Sequence, residues 1–204
     1  MKKIILLVAL ALLGVVAWYI WETRKKPENE LAATLQPAIS KHSDQFNTSF
    51  NSVLTQYYSL AESFVNWDST TINSNAASLG NSIDSLYFED IKSDAVVLET
   101  ANDYKMKLKR NADQIAASAD ITEKRRTFHT LSQNLYDLLR SVQYDAGPIY
   151  MQNCPMAFND TEDGNWLSKT SEIRNPYLGL HHPKYRSAMI DCGETKDSLG
   201  FVNQ

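Results

Sequence analysis

Cysteine is almost absent from this chain: there are two in 204 residues, Cys154 and Cys192. No Cys-x-x-Cys occurs, which speaks against a thioredoxin-like redox motif. HExxH and the nucleophile elbow Gly-x-Ser-x-Gly are missing too, and a lone thiol nucleophile would need an activating base. The chain is therefore not expected to be an enzyme. Charge of one sign is also lacking. Lys and Arg total 20 against 24 Asp and Glu, for a net charge of -4 and a pI near 5.6. That balance excludes a general nucleic-acid-binding surface. Two small basic clusters, Lys105, Lys107, Lys109 and Arg110, then Lys124, Arg125 and Arg126, read as solvated helix faces.

Long hydrophobic runs are lacking everywhere but the start. Ile4 to Trp21 is unbroken and apolar behind Lys2 and Lys3, and as a helix it would reach about 27 Å, close to a bilayer core. It ends in Trp18-Tyr19-Ile20-Trp21, which suits an interfacial belt better than a cleavage site. The expectation is an uncleaved N-terminal transmembrane anchor over residues 1–26. The domain would then lie in the periplasm, tethered to the inner membrane, or be secreted there if the N-terminus is cleaved. Residues 27–45 read as a tether, with Pro27 and Pro37 opposing a continuous helix.

From Phe46 a helical period appears. Phe46, Phe50, Val53, Tyr57, Ala61 and Phe64 share one face. Ile72, Ala76, Leu79, Ile83 and Leu86 define a second face, after several possible N-caps at Asp68-Ser69-Thr70-Thr71. Val97, Ala101, Tyr104, Leu108, Ala112 and Ile115 define a third. The fourth opens on Asp120-Ile121-Thr122-Glu123, spaced as a capping box, and carries Phe128, Leu131, Leu135, Leu138 and Val142. The pattern predicts helices near 46–66, 71–87, 94–117 and 121–144. The expected fold class is all-α: an antiparallel up-down four-helix bundle with a long irregular C-terminal tail, preceded by the transmembrane helix. Domain 46–204 would hold bundle and tail together. Tyr57, Tyr104 and Tyr136 read as bundle residues.

After Gly147-Pro148 no long period returns, yet Tyr150, Phe158, Trp166, Leu167, Tyr177 and Leu178 supply too much apolar material for a disordered segment. Something other than regular structure should pin this tail. Cys154-Pro155-Met156 and Met189-Ile190-Asp191-Cys192-Gly193 are the candidates. Thiolate and thioether are soft ligands that select Cu(I). Cys154 and Cys192 would hold the ion, with Met156 or Met189 as a weak third contact. Zinc fits less well, because it wants four ligands, here both cysteines with His181 and His182, and adjacent histidines point apart. A disulfide between the cysteines is the rival. It would close a loop of roughly 40 residues, worth about 3 to 4 kcal/mol on the entropic account. Trp166 is either a lid over the sulfurs or the anchor of the tail. Asn175-Pro176 reads as a turn.

The tail resembles a known family on four stretches. They are Tyr150-Met151-Gln152-Asn153-Cys154-Pro155-Met156-Ala157, Trp166-Leu167-Ser168, Ile173-Arg174-Asn175-Pro176-Tyr177-Leu178-Gly179 and Met189-Ile190-Asp191-Cys192-Gly193-Glu194. The family comprises small exported or membrane-anchored helical domains of unknown function, found alone and fused to adaptor subunits of copper and silver efflux systems. The resemblance covers roughly residues 46–197. It implies an extracytoplasmic heavy-metal-binding protein, copper above all, accessory to metal efflux or homeostasis, with a copper-handling or efflux partner. The alternative is a disulfide-stabilised, membrane-tethered structural or interaction domain without metal. One departure stands out: Leu180 to Ala188, with both loop histidines, lengthens a connection that the family commonly keeps short.

Overall fold

A computed structural model describes residues 40–200, together with Trp18. Four helices form the first part: α1 (Asp44–Val65), α2 (Ser69–Asp84), α3 (Ala95–Ala117) and α4 (Ile121–Ser141). Each begins at a side-chain cap. Ser43 accepts from the Phe46 N–H, Asp68 from Thr70 and Thr71, Asp94 from Val96 and Val97, and Asp120 from Thr122. The box expected at α4 is closed indirectly. Glu123 accepts from the Ser118 hydroxyl at 2.7 Å, and that hydroxyl accepts from the Asp120 N–H.

Helices α1 and α4 end the same way. At the first, Asp68 N–H reaches the Ser63 carbonyl and Trp67 N–H the Phe64 carbonyl; at the second, Tyr144 reaches Leu139 and Gln143 reaches Arg140. These are Schellman ends, whose left-handed position usually holds glycine. Here Trp67 (φ 56°) and Gln143 (φ 57°) occupy it.

Neighbours in sequence pack on one another, α1 on α2, α2 on α3 and α3 on α4. Phe128 of α4 stacks on Tyr57 and leans on Phe64, both of α1, so the aromatic centre joins the first and last helices. All three are fully buried.

The chain is not all-α. Residues 149–199 contribute a three-stranded antiparallel sheet, β1 (Ile149–Phe158), β2 (Glu162–Ser168) and β3 (Glu194–Leu199), in the order β2-β1-β3. β2 packs on α4 and touches α1. The expected irregular tail is thus a sheet with a folded excursion between β2 and β3. The strands escaped notice because none alternates. β1 is central and buried on both faces over much of its length, and it carries Pro155 where the register breaks between Cys154 and Phe158. β3 is exposed along nearly all its length, with no apolar face to read.

The membrane expectations are corrected as well. Among the described residues no helix is long and apolar enough to cross a membrane. The four helices each bury one face and present polar side chains on the other, as cores require and spans do not. The transmembrane helix, the signal-anchor and the inner-membrane-tethered periplasmic placement are therefore withdrawn. Apart from Trp18, the run 4–21 lies outside the described residues, as does most of the tether, residues 27–39.

Helix α4 corrects the reading of its basic cluster. Lys124 and Arg125 are 2% and 5% exposed, so only Arg126 of the three faces solvent. Lys124 donates to the Ile115 carbonyl at 2.6 Å and to Asn73 Oδ1.

Candidate dithiol site

β1 delivers Cys154 into the interior. Its neighbours Gln152 and Asn153 pair with both flanking strands, so the backbone here is held on two sides. Cys154 itself lies opposite Gly164 of β2 and is fully buried. A Cβ on Gly164 would come 2.8 Å from the Tyr177 ring, so the glycine lets that buried ring lie close beside Cys154.

Cys192 comes from a different kind of structure. It closes a tight turn in which its N–H donates to the Met189 carbonyl at 3.1 Å, just before β3. Gly193 follows at φ 143°, where a Cβ would meet the Asn153 carbonyl at 2.7 Å and the Trp166 ring at 2.9 Å. Trp166 is 2% exposed and its ring packs against the Cys192–Gly193 backbone. Its contact with Gly193 fits the anchor reading.

Asn175 holds the turn in place, and sequence reasoning missed it. Fully buried, it donates through its backbone to the Ile190 carbonyl at 2.8 Å and through Nδ2 to the Cys192 carbonyl at 2.7 Å. Its Oδ1 accepts from Tyr177 and Leu178 N–H groups at 2.8 and 3.0 Å. The Asn-Pro pair was legible as a turn. Its reach to position 192 was not.

The two sulfurs lie 3.1 Å apart, both as free thiols. Cys192 is half-buried, and its thiol is pushed up to about 12 by burial first, then by the hydrogen bond and charge of Cys154. Cys192 therefore rests as a protonated thiol.

The other expected ligands are distributed unevenly. Met156 and Met189 are partly buried and pack against the same core as the cysteines. His181 is exposed. The ring of His182 is committed elsewhere: Nδ1 accepts from the Lys184 and Tyr185 N–H groups at 3.2 Å, and the ring stacks on Tyr185 and meets Trp67 edge-on. Among the described residues no group of three or more His, Cys, Asp or Glu side chains could hold a metal ion. A four-ligand zinc site with both cysteines and both histidines is not assembled.

His129 does meet the sheet. Its Nδ1 accepts from the Asn165 N–H at 2.9 Å, which fixes the proton on Nε2 when the ring is neutral. Burial is the main cause of its lowered pKa, opposed by Asp163 and reinforced by Arg126. Two open grooves of about 760 and 770 Å³ run past Tyr58, Glu62 and Tyr144 and past Lys105, Lys109 and Arg110, and neither is lined by a cysteine.

No curated protein matches this chain, and no solved structure does. A family model described as a protein of unknown function, DUF3347, matches residues 53–147. That stretch begins within α1 and ends just before β1, so it leaves the dithiol and all four tail motifs outside the match. Over its helical part, residues 53–147, the chain is similar to the DUF3347 family.

Proposed function

We propose that this chain is a soft-metal-binding module in which Cys154 and Cys192 hold one Cu(I), with Met156 or Met189 as supplementary donor. The observation that carries the reading is the pair of free thiols 3.1 Å apart, one fixed in a strand and one on a turn. A two-thiolate site takes a soft ion of low coordination number and rejects one that demands four ligands. Sulfurs bridged by one metal sit up to about 4.6 Å apart, twice a metal–thiolate bond of about 2.3 Å. The pair would open by roughly 1.5 Å, a movement within reach of a half-buried turn. His181 and His182 are left out of the ligand set, because the first is exposed and the second spends Nδ1 on its own loop. The tail resemblance supports a role beside a copper-handling or efflux partner, as a binding module and not a catalyst.

Binding would displace both thiol protons, so affinity should rise with pH while Cys192 remains protonated. The test is a titration of the reduced protein with Cu(I) against a competing chelator. One ion retained, and lost when both cysteines become serine, is the expected result. No retention against a modest chelator would sink the reading.

The disulfide is the second reading, and the same 3.1 Å favours it, since closure to about 2.05 Å asks for a movement of only about 1 Å. The lack of a third His, Cys, Asp or Glu ligand beside the cysteines, among the described residues, favours it too. Thiol quantitation on freshly isolated protein separates the two: two free thiols support the metal module, none supports the disulfide.

A further inference from the structure

Away from the dithiol, a buried charge stands without a counter-charge. Arg125 is 5% exposed, and its Nε and Nη2 have no hydrogen-bond partner among the described residues. Its guanidinium lies 3.6 Å over the Trp67 ring. The indole Nε1 of Trp67 is also buried and unpartnered. Three donors in one stack thus lack an acceptor, where buried polar groups are nearly always satisfied. Burial pulls the Arg125 guanidinium down to about 9, against the opposing influence of Tyr177.

The backbone around this stack is unusual. Trp67 takes the left-handed position at the end of α1, which is strained for a bulky residue. Strain of that kind persists where the surroundings impose it, and it clusters at functional sites. Gly179 passes the indole edge at φ 51°, where a Cβ would come 2.7 Å from Nε1. Leu180 N–H then bonds the Val65 carbonyl at 2.8 Å, and His182 meets Trp67 edge-on. The segment 179–182 therefore runs along the stack.

Elsewhere the same chain shows what such an arginine edge holds. Arg174 grips Glu62 through Nε at 2.7 Å and Nη2 at 2.5 Å, a bidentate carboxylate clamp. Arg125 offers the same two nitrogens, and no Asp or Glu among the described residues forms an ion pair with it.

The geometry points to a site for one small planar oxyanion of the carboxylate class, held bidentately by Arg125 Nε and Nη2 with Trp67 Nε1 as a third donor. The fork is shut off from solvent, which favours the smallest guests of this class, formate or bicarbonate, over a bulkier phosphate. It enters when the 180–186 turn lifts. An exposed ion pair, Lys184 with Asp160, ties that turn to the β1–β2 connection, and such pairs are weak.

The test follows the Arg125 Nε–H and Trp67 Nε1–H resonances of the full chain by ¹H–¹⁵N spectroscopy. Sodium formate and sodium bicarbonate are the two arms, with chloride at matched ionic strength and phosphate as controls. Formate or bicarbonate should shift both resonances saturably, and the effective arm should raise Tm as a native-state ligand does. Chloride and phosphate should do neither, and Arg125→Lys, which lacks the fork, should abolish the effect. An absent shift, meaning that a buried water satisfies the fork, would overturn the proposal, as would an equal response to chloride or phosphate. If Arg125→Lys fails to fold, Trp67→Phe takes its place: it keeps an aromatic platform, removes one donor and should weaken binding. Unchanged affinity in that variant overturns the three-donor site.

Discussion

Removing the Asn175 amide should both destabilise the fold and free one thiol, by amounts that the hydrogen bonds set. Asn175→Ala deletes three bonds at once: the donor to the Cys192 carbonyl at 2.7 Å and the acceptor for Tyr177 and Leu178 N–H groups. Tyr177 and Leu178 are each 1% exposed, so their N–H groups have no ready access to water. A buried group left unsatisfied costs about 1 to 3 kcal/mol. Three groups, partly relieved by relaxation, place the loss at about 3 to 5 kcal/mol, a large fraction of a typical domain's stability. Asn175→Asp isolates the part that matters for the site. It keeps an acceptor for Tyr177 and Leu178 but turns the donor facing Cys192 into another acceptor. The 189–193 turn then loses its tether while the 175–179 turn keeps its cap. Urea unfolding measures the first effect and native-state labelling with a thiol reagent the second. If the lost bond is worth about 1 to 2 kcal/mol to the closed turn, Cys192 should label about 5 to 30 times faster in the Asp variant. Cys154, held by strand pairing, should not speed up alone. A loss under about 1 kcal/mol for Asn175→Ala, or unchanged Cys192 labelling in Asn175→Asp, would refute the reasoning.

Tyr57→Phe should cost about 1 to 3 kcal/mol in chemical denaturation. The Tyr57 hydroxyl bonds Ser132 at 2.6 Å and accepts from the buried Leu167 N–H at 2.9 Å, tying α1 and α4 to β2. Stability should also fall as the solution is acidified. Burial lowers the pKa of His129 and of His182 in the folded state, so the unfolded chain binds more protons just below the unfolded value near 6.5. Their contribution is complete above about 6.5 and is lost as pH drops through the lower folded pKa values. Equilibrium unfolding across that range should show the slope, and His129→Gln, which can still accept from Asn165 but does not titrate, should flatten it.

What the sequence made legible follows from where the information resides. The helices lie within a few residues of their expected spans because the period of Phe46, Phe50, Val53 and Tyr57, and the cap at Asp120, are local facts. The sheet is not local. β1 pairs with β3 across the whole 170–193 excursion, and β3 reads Glu-Thr-Lys-Asp-Ser-Leu with no buried face. Such a strand is defined by its partner's backbone, which no period reports. Arg125 and Lys124 were misread for a related reason. Both sit among charged neighbours in a strongly amphipathic helix, and only the packing of Trp67 over one and of Ile115 and Asn73 against the other reveals that they point inward. The soft-ligand motifs were legible from composition, whereas their meeting depends on Asn175 and Gly193, residues whose roles are conformational.

The asymmetry between the two cysteines constrains any chemistry they perform. Cys154 lies in the central strand with no exposure, and its backbone is paired with β2. Cys192 lies in a turn, half-buried, fastened by one amide and wedged by one indole. At 3.1 Å the sulfurs are too far apart for a covalent bond and closer than a bridging metal would hold them. Either outcome must change that distance, and only Cys192 is free to move. Closing to a disulfide carries the 189–193 turn inward, and opening around an ion carries it outward. Both strain the same Asn175 bond to the Cys192 carbonyl. Asn175 therefore sets the resistance to either motion. A variant that weakens this bond should speed oxidation and metal uptake together, while one that alters Met156 or Met189 should affect metal uptake alone.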